Sequence, residues 1–439
     1  MTICLSVVAS ATGFGQVKMA PLNIKERTLA NGLKVVSLQD NSSPTVAIHV
    51  WYKVGGKDDP QGKSGFAHMF EHMMFKSTKN MPNEKMDRLT EDVGGFNNAS
   101  TWDDFTNYYE VVPSNYLETL LWAEAERMQN LNVDDTNFAS ERDVVKEEYR
   151  QSVLANPYGQ FYEYINSLSY TTHPYKRGVI GDLDQLNAAN SADARKFHQT
   201  YYRPDNAYLI VVGDFDQKQF DAWTDKYLGK VPKPSTEIPR VTVKEPARTK
   251  EVRYEKTAPN VPFPAVAITY LGPRSDDADA PALELAEAIL SGGESSRLYQ
   301  SLVYKQKIAQ EATFTVDSKV DGGILYFSAI ASEGKSATEL EKSLLAELKR
   351  IQTAGVTTGE LAKAKNQHIA SNIRDVETND GKAGAIEDGI AYEHDPRAVN
   401  SWVAKAQAVT AADIKRVMRK YFSDTNRVVI YYTNEGGSK

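Results

Sequence analysis

Along the chain, short runs of β-branched and aromatic residues alternate irregularly with longer stretches whose apolar positions return every three or four residues. Residues 45–54, 108–112 and 208–212 are runs of the first kind, and their density of Val, Ile, Tyr and Trp predicts strands. Residues 114–130 and 137–153 are of the second kind and predict amphipathic helices. Because the order is not a regular strand–helix–strand series, the pattern predicts an α+β fold.

The pattern is also repeated. Val46-Ala47-Ile48 returns as Val266-Ala267-Ile268 (266 − 46 = 220), each copy followed by an Asp pair, Asp58-Asp59 and Asp276-Asp277. Towards the other end, Ser191-Ala192-Asp193 leads to Tyr201-Tyr202, Asn206 and an apolar strand, while Ala411-Ala412-Asp413 leads to Tyr421-Phe422, Asn426 and another (413 − 193 = 220). The shared offset predicts two duplicated domains, at 22–228 and 263–439, since the period is too long for a solenoid. Residues 229–262 hold six prolines and predict an extended linker, with an edge strand at 240–244.

With 439 residues, 41% of them hydrophobic, the chain is long enough for at least two cores. The formal charge of −7 is scattered without a basic stripe, which argues against nucleic acid as a partner. Cys4 is the only cysteine, so disulfides and Cys-based metal clusters are excluded. Residues 1–21 have two readings. The uncharged apolar run at 3–11, ending Ala9-Ser10-Ala11, looks like a signal peptide shortened at its start, which would make the protein periplasmic or secreted. The missing basic start equally suits a disordered N-terminus of a cytoplasmic protein. No other apolar run approaches the ~18 residues of a membrane span.

The candidate chemistry lies at HMFEH, residues 68–72. Ser64 is the expected N-cap of a helix that buries Phe66, Met69, Phe70, Met73 and Met74. His68 and His72 then stand one turn apart, close enough to share one ion, with Glu71 beside its open side as a general base. Two histidines on a half-apolar helix are often mere packing. The duplication supplies a control: the positions 220 later are Ala288, Ser291 and Gly292, so the second copy lacks this chemistry and a purely structural role is disfavoured.

A catalytic zinc site needs a third protein ligand. In ERDVVKEEYRQ, helical periodicity puts Glu141, Val144, Val145, Glu148 and Ser152 on one stripe and Ser140, Asp143, Glu147 and Gln151 on another. Glu148 on the apolar stripe must be paired or bound to a cation, whereas Glu147 reads as a solvated surface residue. Glu141, on the same side two turns earlier, is placed to orient a ligand or the catalytic water.

With these residues the chain resembles, from about residue 22 onward, the pitrilysin, insulin-degrading enzyme and mitochondrial processing peptidase group of inverted-motif zinc peptidases. HMFEH is similar to the group's H-x-x-E-H, Glu148 to its distant third ligand and Glu141 to its further acid. The resemblance implies one Zn²⁺ per chain held by His68, His72 and Glu148, with Glu71 as the base. It implies mainly antiparallel sheets packed with helices, two such domains forming half of a clamshell chamber. It also implies that Phe96, Asn97, Asn98, Ala99 and Ser100, in GGFNNASTWDDFTNYYEV, dock peptide substrates as an added strand. A polar strand edge without that role is the other reading of Asn97, Asn98 and Ser100.

Active members of the group supply an Arg and a Tyr, seven residues apart, from the second-half domain facing the zinc. Here the matching positions look like Leu325 and Ser332. The resemblance therefore implies a heterodimer with a related subunit supplying Arg and Tyr, a homodimer being the other form. Arg297 and Tyr299 in ESSRLYQ are expected to serve packing or interdomain contact. Two further readings are a presequence-processing peptidase and a non-catalytic structural subunit of the same fold.

Overall fold

A computed structural model describes residues 19–436, so the apolar run at 3–11 and Cys4 lie outside the described residues. Among the described residues eleven strands form two sheets. The first contains β1 (Lys25–Thr28), β2 (Lys34–Gln39), β3 (Thr45–Tyr52), β4 (Phe96–Thr101), β5 (Thr106–Pro113) and β6 (Ala207–Gly213), in the order β1-β2-β6-β3-β5-β4. The second contains β7 (Val252–Ala258), β8 (Ala265–Leu271), β9 (Ala309–Asp317), β10 (Ile324–Ala331) and β11 (Arg427–Asn434), in the order β7-β11-β8-β10-β9. Apart from β1 the two orders coincide, down to a single parallel pair in each, β2 with β6 and β7 with β11. All other pairings are antiparallel. β3 and β8 begin 220 residues apart, as do β6 and β11 (265 − 45 and 427 − 207). The α+β reading of two like sheets packed with helices holds.

The helices bury both faces of each sheet, and they do so reciprocally. One face of the first sheet forms a core with its own helices through residues such as Phe66, Phe70, Leu120 and Phe197. Its other face, through Val36, Ala47, Trp51 and Ile210, packs on Ile386 and Ile390 of the Asn379–Glu393 helix, which comes from the second half of the chain. The second sheet likewise packs on Phe161 and Ile165 of the Gly159–Ser167 helix, which comes from the first half. Exchanging one helix each way removes apolar area from water on faces that neither half covers alone. Among the described residues no helix is long and apolar enough to cross a membrane.

Three local expectations are corrected. Residues 240–244 form no strand. The strand in the proline-rich segment is β7, whose alternating exposed and half-buried residues suit a sheet edge and whose partner β11 is nearly 180 residues away (430 − 254 = 176). Ser64 is not the N-cap of the motif helix, which runs Phe66–Met73 from Gly65 without a side-chain cap of its own. The Asp59 carboxylate caps it instead, accepting from the Gly65 and Ala67 amides at 2.6 and 2.8 Å. Val144 is 47% exposed, off the buried stripe, because the Asp135–Tyr149 helix buries only Asn137, Phe138, Glu141 and Val145.

Candidate metal centre

Two helices of the first half meet at the motif. The Phe66–Met73 helix is anchored by Phe66, Met69, Phe70 and Met73, all fully buried, so its opposite face presents His68, Glu71 and His72. Its start is held where Gly65 and Gly181 cross, both at positive φ (95° and 90°). A Cβ on Gly181 would lie 2.4 Å from the Gly65 Cα, so neither position accepts a side chain. The Asp135–Tyr149 helix crosses it and brings Glu148, at its last turn, over the imidazoles.

One ligand atom from each of His68, His72 and Glu148 lies within 4.8 Å of the others. Glu148 Oε2 is 3.6 Å from His68 Nε2 and 3.4 Å from His72 Nε2. Ligands bound tetrahedrally at zinc distances of ~2.0–2.1 Å stand about 3.3–3.4 Å apart, so the donor spacing fits such an ion. The donor set, two imidazoles and a carboxylate, is also that of a known class of catalytic zinc sites.

Electrostatics prepare the donors. Burial holds His68 down to about 4 against the pull of Glu148, so its imidazole is neutral with a free lone pair at neutral pH. Burial also opposes charge on His72, but Glu148, Glu71 and Glu141 outweigh it and hold it above the usual value. The His72 contact lowers Glu148, which stays ionised. Glu148 is 43% exposed, not on a buried stripe as its periodicity suggested; it reaches the imidazoles from a half-exposed position.

Glu141 is buried behind His72, its Oε2 3.8 Å from Nδ1, beyond hydrogen-bond length. Lys76 Nζ holds its other oxygen at 2.6 Å, and Ser140 Oγ donates to that oxygen at 3.1 Å. Sequence reasoning missed Lys76 and Asp59. Lys76 stands one turn past His72, a spacing that would have found it; Asp59 carried only the repeat pattern.

Glu71 faces the end of β4. The Thr101 amide donates to its carboxylate, while burial pushes the carboxyl above its usual value. β4 is the free edge of the first sheet. The Ala99 amide turns away from β5 and is capped by Asn98 Oδ1 at 2.9 Å. Ala99 and Thr101 thus present donors along one edge that runs directly to Glu71, as the period of two requires. Phe96, at the far end of this edge, is 47% exposed, and Asn97 Nδ2 donates to Thr90 Oγ1 at 2.5 Å. Ser100 is half-buried between them and Thr101.

Leu325 lies in the second core, 1% exposed, and Ser332 follows the end of β10 with its amide on Ile308 O. Neither offers an Arg or Tyr function. Arg297 pairs with Glu360 at 2.7 Å and Gly355 O at 2.9 Å, a contact within the second half.

Residues 34–183 match the family model described as insulinase, peptidase family M16, and residues 188–368 match the model described as peptidase M16 inactive domain. The chain is 33% identical over 410 residues to the zinc protease PqqE of Helicobacter pylori, covering 92% of this chain and 91% of that protein. It is 27% identical to human cytochrome b-c1 complex subunit 1, covering 92% and 85%. The crystal structure of a protease from Helicobacter pylori superposes with a TM-score of 0.90 at 31% identity, covering 94% of this chain and all of that one.

Proposed function

The chain belongs to peptidase family M16, the insulinase family, and on that premise we propose that it is a zinc-dependent endopeptidase subunit acting on short or unfolded peptides. The observation that carries this is the convergence of the His68, His72 and Glu148 donor atoms within 4.8 Å, with Glu71 beside them.

His68, His72 and Glu148 would hold one zinc ion. When bound, zinc supplies Lewis-acid polarisation of the scissile carbonyl and a water made acidic enough to ionise near neutral pH. Glu71 takes the proton of the attacking water and returns it to the leaving amine. Glu141, fixed by Lys76, positions His72 from behind. The free edge of β4, residues Phe96 to Ser100, takes the substrate as an added strand through main-chain donors such as the Ala99 amide, so that binding depends little on side chains. Asn98 yields its contact with Ala99 as the peptide docks.

The reading includes a closed chamber completed by a second subunit, since Leu325 and Ser332 stand where an Arg and a Tyr would be needed to stabilise the oxyanion. A related chain bearing Arg and Tyr would make the heterodimer, with a second copy of this chain as the other arrangement.

Glu71→Gln tests the mechanism. The amide keeps the Thr101 contact and the zinc, so peptide cleavage should fall by about 10²–10⁴-fold at unchanged metal stoichiometry. Unchanged cleavage would remove Glu71 as the base. The likeness to a cytochrome b-c1 subunit favours a second reading, a non-catalytic structural subunit; wild-type protein with zinc bound and no cleavage of any unfolded peptide would establish it.

A further inference from the structure

The first half carries the metal donors, yet two supports of its motif helix are tied to the second half. The tip between β4 and β5, residues 102–105, meets the tip between β9 and β10, residues 318–323, its counterpart in the repeat. Among the described residues two lysines bridge the tips, one from each half. Lys57 Nζ lies 2.7 Å from Asp104 Oδ1 of its own half and 2.8 Å from Asp321 Oδ2 of the other. Lys319 Nζ lies 3.0 Å from Asp317 Oδ2 of its own half and also pairs with Asp103 of the other. Each ammonium is thus held by one carboxylate from either half. The Tyr175 hydroxyl closes the network, donating to Asp104 Oδ1 at 2.6 Å and accepting from the Asp321 amide at 3.0 Å. Lys319 is 3% exposed, and a lysine so buried keeps its charge only while paired, so the carboxylates and the ammonium fix one another's places.

Both ties end beside the motif helix. Asp103 is two residues past Thr101, whose amide donates to Glu71. Lys57 is two residues before Asp59, which caps the same helix through the Gly65 and Ala67 amides. Main-chain bonds join the two: the Gly56 and Lys57 amides donate to Trp102 O and Asp103 O, each at 3.0 Å. Thr101 is also the last pair of the β4–β5 ladder, opposite Thr106, so beyond it the tip depends on these contacts. A shift of the Asp103 carboxylate therefore reaches Thr101, and the Glu71 contact, through two residues of backbone.

We propose that Lys319, from the half without the histidine pair, is a positioning residue for the reaction: by holding Asp103 it sets Thr101, and through Thr101 the aim of the Glu71 carboxylate. The half that lost the metal donors thus keeps a part in the chemistry of the other. A base displaced by about 1 Å loses up to about 100-fold in rate. Peptide docking along Phe96 to Ser100 is set by the pairing of β4 with β5 and depends little on the tip. The effect on catalysis rests on the peptidase reading; the hold of Lys319 on Thr101 does not.

Two measurements on the full, zinc-loaded chain separate these. In Asp103→Asn, Lys319 keeps Asp317 and the fold is retained. Its kcat on an unstructured peptide should fall about 10–100-fold, with KM changed less than about threefold and zinc stoichiometry unchanged. Lys319→Met should do the same; where it fails to fold, Asp103→Asn carries the test. Arg297→Met, which breaks a pair confined to the second half, is the comparison and should lower the thermal midpoint without lowering kcat. Hydrogen exchange over residues 99–105 should quicken about tenfold or more in Asp103→Asn and not in Arg297→Met. A kcat loss no larger than that of Arg297→Met overturns the proposal, and so does a loss carried by KM at constant kcat, or unchanged exchange at Thr101. If wild type cleaves no peptide, the peptidase reading fails and exchange at Thr101 alone decides whether Lys319 holds that amide.

Discussion

His49 is the test of how the two halves hold together. It lies on β3, 4% exposed, with Nδ1 2.8 Å from Glu387 Oε2 and Nε2 3.1 Å from Asp380 Oδ1, both on the Asn379–Glu393 helix contributed by the second half. Burial disfavours its charge, but the two carboxylates outweigh burial and raise it from 6.5 to about 9. At 1.36 kcal/mol per pKa unit, that rise corresponds to about 3 kcal/mol of stability; Asp380 is partly solvated, which makes this an upper figure. The sign follows from the direction. A pKa raised on folding contributes fully below 6.5 and is lost as pH climbs through about 9. Urea titrations of wild type and His49→Gln from pH 6 to 10 should therefore differ by about 2–3 kcal/mol near pH 6 and converge above pH 9.5. A difference that stays constant across that range would mean that His49 contributes packing only, and would refute a charged lock between the halves.

Replacing Glu148 by Gln should weaken zinc binding by more than about 100-fold in a competitive chelator titration, whereas Glu141→Gln, acting through His72, should cost about 10–100-fold. Arg127→Met should destabilise the fold by about 3–5 kcal/mol in chemical denaturation, because it strands Glu110 and Glu124, both fully buried and otherwise paired with the guanidinium. Glu284→Gln should raise the melting temperature at pH 8–9 and leave it unchanged at pH 4: a carboxyl raised from 4.5 to about 7 in the folded state opposes folding increasingly as pH climbs from 4.5 to about 7, and fully above that. Its side chain is 42% exposed, so solvent screening keeps that gain small. Gly65→Ala should lower both stability and zinc occupancy, measured by melting and metal analysis, since an added Cβ would sit 2.8 Å from Ile180 O at the start of the motif helix.

Much of this was legible along the chain, and for definable reasons. The motif and the duplication are local or periodic, so spacing alone reveals them. HMFEH lies within two turns of one helix, and the 220-residue offset repeats at both ends of the halves. β7 was hidden because its partner β11 is distant and its own residues are mostly polar, flanked by prolines that read as linker. Asp59 was hidden because a cap eight residues from the amide it serves leaves no periodic trace.

By itself the amino-acid sequence determined the α+β pattern, the repeat and the identity of the ligand candidates, because helical and strand periodicity act between near neighbours. Only the tertiary structure decided that Glu148 reaches the two imidazoles from a half-exposed turn and that each half lends a helix to the other's sheet. Those outcomes depend on contacts between segments many residues apart, where long-range packing and desolvation, rather than local propensity, choose the partners.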